Sequence, residues 1–120
     1  MRAIMIDPFT RKVSEIDTDA SLDDLYRLLE VDLITVVQLG AKHAMILDDE
    51  GLLKDKSVQA YFTLLGAGQP FAGRGLILAD ECGENRAASI PLSAVEQKVV
   101  WLENDEVEPD RWTGWEITVV

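Results

Sequence analysis

The run Leu33-Ile34-Thr35-Val36-Val37-Gln38-Leu39 constrains this chain more than any other stretch. Ile34 to Val37 are all β-branched, a composition that suits a pleated strand and crowds a helix. Gly40-Ala41-Lys42 follows as a turn, and Ala44-Met45-Ile46-Leu47 is a second apolar run, so the simplest pairing is a hairpin. Leu33, Thr35, Val37 and Leu39 share one side of the first strand, and Ile34, Val36 and Gln38 share the other. Both sides are largely apolar, which predicts an interior strand. In its partner, His43, Met45 and Leu47 alternate with Ala44 and Ile46.

The rest of the chain is read around this hairpin. Ala3 to Ile6 is a continuous apolar run, as in a strand buried on both faces, and Asp7-Pro8 ends it. Arg11 to Ile16, with Val13 and Ile16 as its apolar members, is predicted to be an edge strand paired with it. Ser21-Leu22-Asp23-Asp24 opens a helix, with Ser21 as N-cap and Asp24 where a capping-box acid belongs. Leu22, Leu25, Tyr26 and Leu29 fall on one face of it. Asp48-Asp49-Glu50-Gly51 stops the second hairpin strand. Val58, Tyr61, Phe62 and Leu65 then stand at i, i+3, i+4 and i+7 and predict a second amphipathic helix, closed by Gly66-Ala67-Gly68-Gln69-Pro70.

Beyond it, Leu76 to Ala79 reads as a strand, Asp80 to Asn85 as a polar loop, and Arg86 to Ile90 as a partner strand. Pro91 and Ser93 open a short helix through Lys98, and Val99 to Leu102 is a further strand. An acidic loop leads to Trp112, Trp115 and a closing strand at Ile117-Thr118-Val119-Val120. The sum is one small α+β domain over residues 1–120, with a mixed or antiparallel sheet and two main helices packed on it. The Trp-rich segment from about residue 99 to 120 is its least patterned part.

Charge narrows the partners. Twenty-two acids against 11 bases leave a net charge of −11. Such a chain repels phosphate backbones and anionic membranes, so direct nucleic-acid and membrane binding are not expected. A basic partner protein is favoured if the acids cluster in space; otherwise the acids serve solubility. Asp48, Asp49, Glu50, Glu103, Asp105, Glu106, Glu108 and Asp110 are the candidate interaction residues, with Asp17, Asp19, Asp23 and Asp24 as a further group. The sharpest form of this reading is an acidic substitute for DNA in a basic groove. The longest uncharged run, Ser57 to Gly73, carries Pro70 and does not suit a membrane span. Cys82 is the only cysteine, and Asp7-Pro8 cuts the first apolar run too short for a signal peptide, so a cytoplasmic protein is expected.

Chemistry is sparse. His43 with Asp48 and Glu50 is the one weak metal or ligand candidate, and its spacing is not that of an EF-hand. Asp80, Glu81 and Glu84 surround Cys82, whereas a thiol nucleophile needs a basic neighbourhood, so a thiol enzyme is not expected. Gly66-Ala67-Gly68 and Gly73-Arg74-Gly75 match no phosphate-binding loop, and no G-x-S-x-G elbow occurs. No catalytic residue and no cofactor is therefore assigned, and the chain is read as non-enzymatic. A small binding protein or enzyme using His43 with nearby carboxylates is the alternative. Trp101, Trp112 and Trp115 offer a contact surface for a homo-oligomer, although packing over an open core explains them more simply.

Three stretches carry a resemblance: Ile4-Met5-Ile6-Asp7-Pro8, Asp48-Asp49-Glu50-Gly51-Leu52-Leu53, and Pro70-Phe71-Ala72-Gly73-Arg74-Gly75-Leu76-Ile77-Leu78. Their order and spacing resemble a small family of unknown function, numbered 3846 among such families, found in bacteria, phages and plasmids. The likeness covers roughly residues 1–85 and transfers no activity. It implies a setting, a cytoplasmic protein encoded on a phage or another mobile element.

Overall fold

Ala3, Ile4, Met5 and Ile6 alternate between the two faces of a strand and are all buried, so a layer must cover each face. The computed structural model, which describes residues 1–51 and 54–103, supplies both layers. The first strand, β1 (Arg2–Asp7), pairs antiparallel with β2 (Lys12–Asp17). Helix α1 (Leu22–Leu29) follows, then the hairpin of β3 (Ile34–Leu39) and β4 (His43–Asp48). A single 3-10 turn at Lys56–Val58 leads to β5 (Tyr61–Leu64) and β6 (Phe71–Ala72). Next come β7 (Gly75–Glu81), β8 (Glu84–Arg86), helix α2 (Leu92–Lys98) and β9 (Val99–Leu102). The main sheet has the order β2-β1-β7-β4-β3, with β8 also on β7; a smaller sheet has the order β6-β5-β9. All pairings are antiparallel.

Helix α1 lays Leu25 and Leu29 on Ala3, Met5, Ile46, Leu76 and Leu78 of one sheet face. The other face, with Ile4, Ile6, Met45, Leu47 and Ile77, packs on Phe62, Leu64 and Phe71 of the small sheet and on Val95 of α2. The result is a three-layer α+β domain whose central sheet is buried from both sides.

The central hairpin, the first helix, and the strands at β1, β7 and β9 lie where the sequence places them. The second helix does not. Val58 to Leu65 holds a 3-10 turn and strand β5 instead, and the second helix of the fold is the short α2. The helical spacing there is coincidental, because Val58 is 71% and Leu65 57% exposed, whereas Phe62 and Leu64 alternate into the core. Gly66 to Pro70 is accordingly the turn between two strands, with Gly66 and Gly68 at positive φ, and not a helix stop.

Among the described residues strand β3 lies at the sheet edge, whereas its apolar pattern suggests an interior position. Val36 is 58% exposed as a result. Asp80 to Asn85 is strand, turn and strand, since Cys82 and Gly83 at φ 54° and 84° form the two-residue turn that matches strand twist. The partner strand is therefore Glu84–Arg86 and not Arg86 to Ile90.

At α1 the Ser21 hydroxyl accepts from the Asp24 N–H at 3.2 Å as expected, but Asp19 and not Asp24 accepts from the Ser21 N–H, at 2.8 Å. The Asp24 carboxylate takes the Thr18 hydroxyl at 2.5 Å and pairs with Arg27, both of which hold it below the ordinary carboxylate range. Leu22, expected on the buried face, is exposed. Trp101 is half-buried against the core. Trp112, Trp115, the closing strand at 117–120, and Asp105, Glu106, Glu108 and Asp110 lie outside the described residues.

Candidate functional site

Four loops meet at one end of the main sheet: the turn after β1, the link from α1 to β3, the segment after β4, and the link from β6 to β7. They enclose a cleft of about 280 Å³ lined by Phe9, Glu30, Asp48, Lys54, Gln59 and Arg74, among others. Gly73, at φ +79°, makes the turn that delivers Arg74 to it, and its N–H donates to the Ala60 carbonyl at 2.8 Å. Arg74 donates from Nε to Asp7 at 3.3 Å and from Nη1 to Glu30, and its guanidinium stands 5.4 Å from the centre of the Phe9 ring. Burial disfavours its charge, but the hydrogen bonds and charges of Glu30 and Asp7 outweigh that and raise its pKa, so it is a permanent cation.

Asp48 ends β4 and is 6% exposed. One of its oxygens accepts from the Glu50 N–H at 2.9 Å and the other pairs with Lys54. Gln59 is buried too; its amide donates to the Gly51 carbonyl at 2.9 Å and its oxygen accepts from the Ala60 N–H at 3.2 Å. Gly51 is obligatory for this packing, because a Cβ there would lie 2.9 Å from the Ala72 carbonyl oxygen. Asp7, Asp48 and Arg74 come one from each of the three stretches through which the sequence resembles a known family. Stretches about twenty to forty residues apart thus build one cleft.

Several acids lie within two residues in sequence of residues that line this cleft. Glu30 serves Arg74, whereas Asp32, Asp49, Glu50 and Asp55 make no ion pair among the described residues. The Asp49 N–H donates to the Leu33 carbonyl at 3.0 Å, which ties the Asp32 loop to the Asp49-Glu50 turn. The other sequence candidates are occupied locally: Asp17 by the N-terminal ammonium, Asp24 by Arg27, Asp48 by Lys54 and Glu103 by Arg11. Asp19 and Asp23 sit at the start of α1. Asp32 and Asp55 were not singled out in the sequence, which shows no link between loops so far apart.

His43 opens β4 and Asp48 closes it, so extended backbone separates them by about 17 Å. Glu50 lies beyond Asp48 at the same far end, and the three do not converge. Among the described residues no group of three or more His, Cys, Asp and Glu side chains is placed to hold a metal ion. His43 instead meets Ser89, whose N–H donates to Nε2 at 3.2 Å and whose hydroxyl lies 3.3 Å away. Burial, then the charges of Arg2 and Lys42, push the imidazole pKa down. The unfolded chain thus binds this proton more readily than the folded one. Stability contributed here is complete above about pH 6.5, the ordinary histidine value, and is lost as pH falls through the depressed folded value. Urea unfolding of wild type and His43→Asn between pH 5 and 8 checks this: the wild type is expected to lose more stability on acidification.

Among the described residues no helix is long and apolar enough to cross a membrane. A family model described as a domain of unknown function (DUF3846) matches residues 1–100, which takes in both helices, the cleft and His43. The match runs further than the stretches that carried the resemblance, through α2 and into β9. No curated protein and no solved structure matches the chain.

Proposed function

The chain belongs to the DUF3846 family of domains of unknown function, and on that premise we propose that it is an interaction domain that presents the acidic end of its sheet to a basic protein. The observation that carries this reading is the gathering of Asp32, Asp49, Glu50 and Asp55 around a cleft whose own cations, Arg74 and Lys54, are already held by Asp7, Glu30 and Asp48. Exposed acids that make no ion pair among the described residues create a negative field at this end, which steers a positive surface and repels phosphate. Asp48 and Gln59 bond the segment that carries Asp49, Glu50 and Asp55, and the Asp49 N–H bonds the Leu33 carbonyl beside Asp32, which holds the loops that carry the acids. A nucleic-acid-binding protein with a basic groove is the partner class this charge fits, and the host setting proposed is a phage or another mobile element.

The test compares tagged wild type with a D32N/D49N/E50Q/D55N variant in pull-downs from host lysate at low and high salt. A basic protein captured by the wild type at low salt, lost at high salt and not captured by the folded variant is the expected result. Equal capture by both proteins removes the acidic end from the interaction.

A further inference from the structure

A second concavity lies at the opposite end of the sheet, away from the acidic cleft. The β3–β4 turn, β5, β7 and α2 surround about 160 Å³ there, walled by Leu39, Leu64, Ile77, Ile90 and Val95 and bordered by Gly40, His43 and Lys98. A space of about 150 Å³ with aliphatic walls is large enough for a benzene-sized guest, and this one opens to solvent on its polar side. The polar side of this one is asymmetric. A backbone N–H can only donate, so the bond from Ser89 makes His43 Nε2 the unprotonated nitrogen and places the hydrogen on Nδ1. Among the described residues nothing accepts from that Nδ1–H. The charges of Arg2 and Lys42 also act on the ring; Arg2 is held by Glu15 and by the carbonyls of Ala88 and Ile90, whereas Lys42 makes no ion pair among the described residues. In a molecule of net charge −11, this is a locally positive mouth on an apolar cavity.

We propose that this cavity binds a small monocarboxylate with a compact apolar body, an aromatic ring or a branched aliphatic chain. The body fills the space between Leu39, Leu64, Ile77 and Val95. The carboxylate accepts from the His43 Nδ1–H, beside Lys98 of the lining and within the field of Lys42. Charge complementarity selects an anion over a neutral hydrocarbon of the same shape, and the apolar walls select it over acetate. The proposal is independent of the acidic end, which shares none of these residues.

The probes are benzoate, toluene and acetate, added to isotope-labelled protein and followed by the methyl signals of Leu64, Ile77 and Val95 and the imidazole signal of His43. Benzoate is expected to give saturable shifts at these residues and to bind more tightly than either other probe. Lys42→Gln, a change in an exposed turn, is expected to weaken benzoate by about threefold and to leave toluene unchanged, as for a solvent-facing charge. Ile90→Trp, which narrows the cavity from its rim, is expected to abolish binding in a protein whose spectrum shows it folded. Toluene binding as tightly as benzoate, or no saturable shift with benzoate at these methyls, overturns the proposal. So does equal benzoate affinity in Lys42→Gln.

Discussion

Gly75→Val is expected to cost about 3 kcal/mol or more, a fall of about 10 °C or more in melting temperature for a domain of this size. Gly75 is the first residue of β7 and pairs with Ile6 of β1. A Cβ built on it stands 2.9 Å from the Met45 sulfur, 3.0 Å from the Phe62 Cζ and 3.3 Å from a Leu47 methyl. Each of those atoms ends a flexible side chain, but all three residues are at most 2% exposed, so none has space to move into. The cost is purely steric, because Gly75 is not in the left-handed region. Gly40 makes the control. It has φ +65° with nothing within 4 Å, and Asn tolerates that backbone, so Gly40→Asn is expected to stay within about 0.5 kcal/mol of wild type. Thermal and urea unfolding of the two variants side by side checks both values.

Phe62→Ala is expected to cost about 3–5 kcal/mol, the range for deleting a buried aromatic side chain. Phe62 is fully buried, its ring centre lies 5.5 Å from that of Phe71, and it fills the space between the two sheets. Leu65→Ala is expected to change stability by less than about 0.5 kcal/mol, because Leu65 is 57% exposed. The pair discriminates between two conformations. A helix over Val58 to Leu65 would bury both side chains on one face, whereas strand β5 buries Phe62 and turns Leu65 out. Equal losses in the two variants would speak for the helix.

That segment shows why part of the fold was not legible. Tyr61, Phe62 and Leu64 are buried in β5 because β6 lies on one side and β9, nearly forty residues away, on the other. Tyr61 sits on the outer side of this sheet against Ala72 and Leu102, and Phe62 on the inner side. A strand in the middle of its sheet is apolar on both faces, so its period of two disappears and an accidental helical spacing remains. The edge position of β3 was hidden for the converse reason. Its apolar residues on both faces resemble those of an interior strand, yet among the described residues no strand covers its outer edge.

The candidate sites divide in the same way. Local capping was legible, since Ser21 closes on the N–H of Asp24 within one turn. The cleft was legible only as separate pieces, Asp7-Pro8, Asp48 to Gly51 and Gly73-Arg74-Gly75. His43 was singled out, but with Asp48 and Glu50, from which β4 itself separates it, and without Ser89, its partner in space.

By itself the sequence determined the central hairpin, the capped first helix, the α+β class and the sign of the surface. Each depends on side-chain periodicity, capping and charge within about ten residues or on composition, all of which are local properties of the chain. Only the tertiary structure decided that Val58 to Leu65 holds a 3-10 turn and a strand, that β3 lies at the edge of the described sheet, which acids make no ion pair among the described residues, and what His43 faces. Those outcomes depend on pairings between residues tens of positions apart, whose free energy arises from shared burial and ion pairing and leaves no local pattern to read.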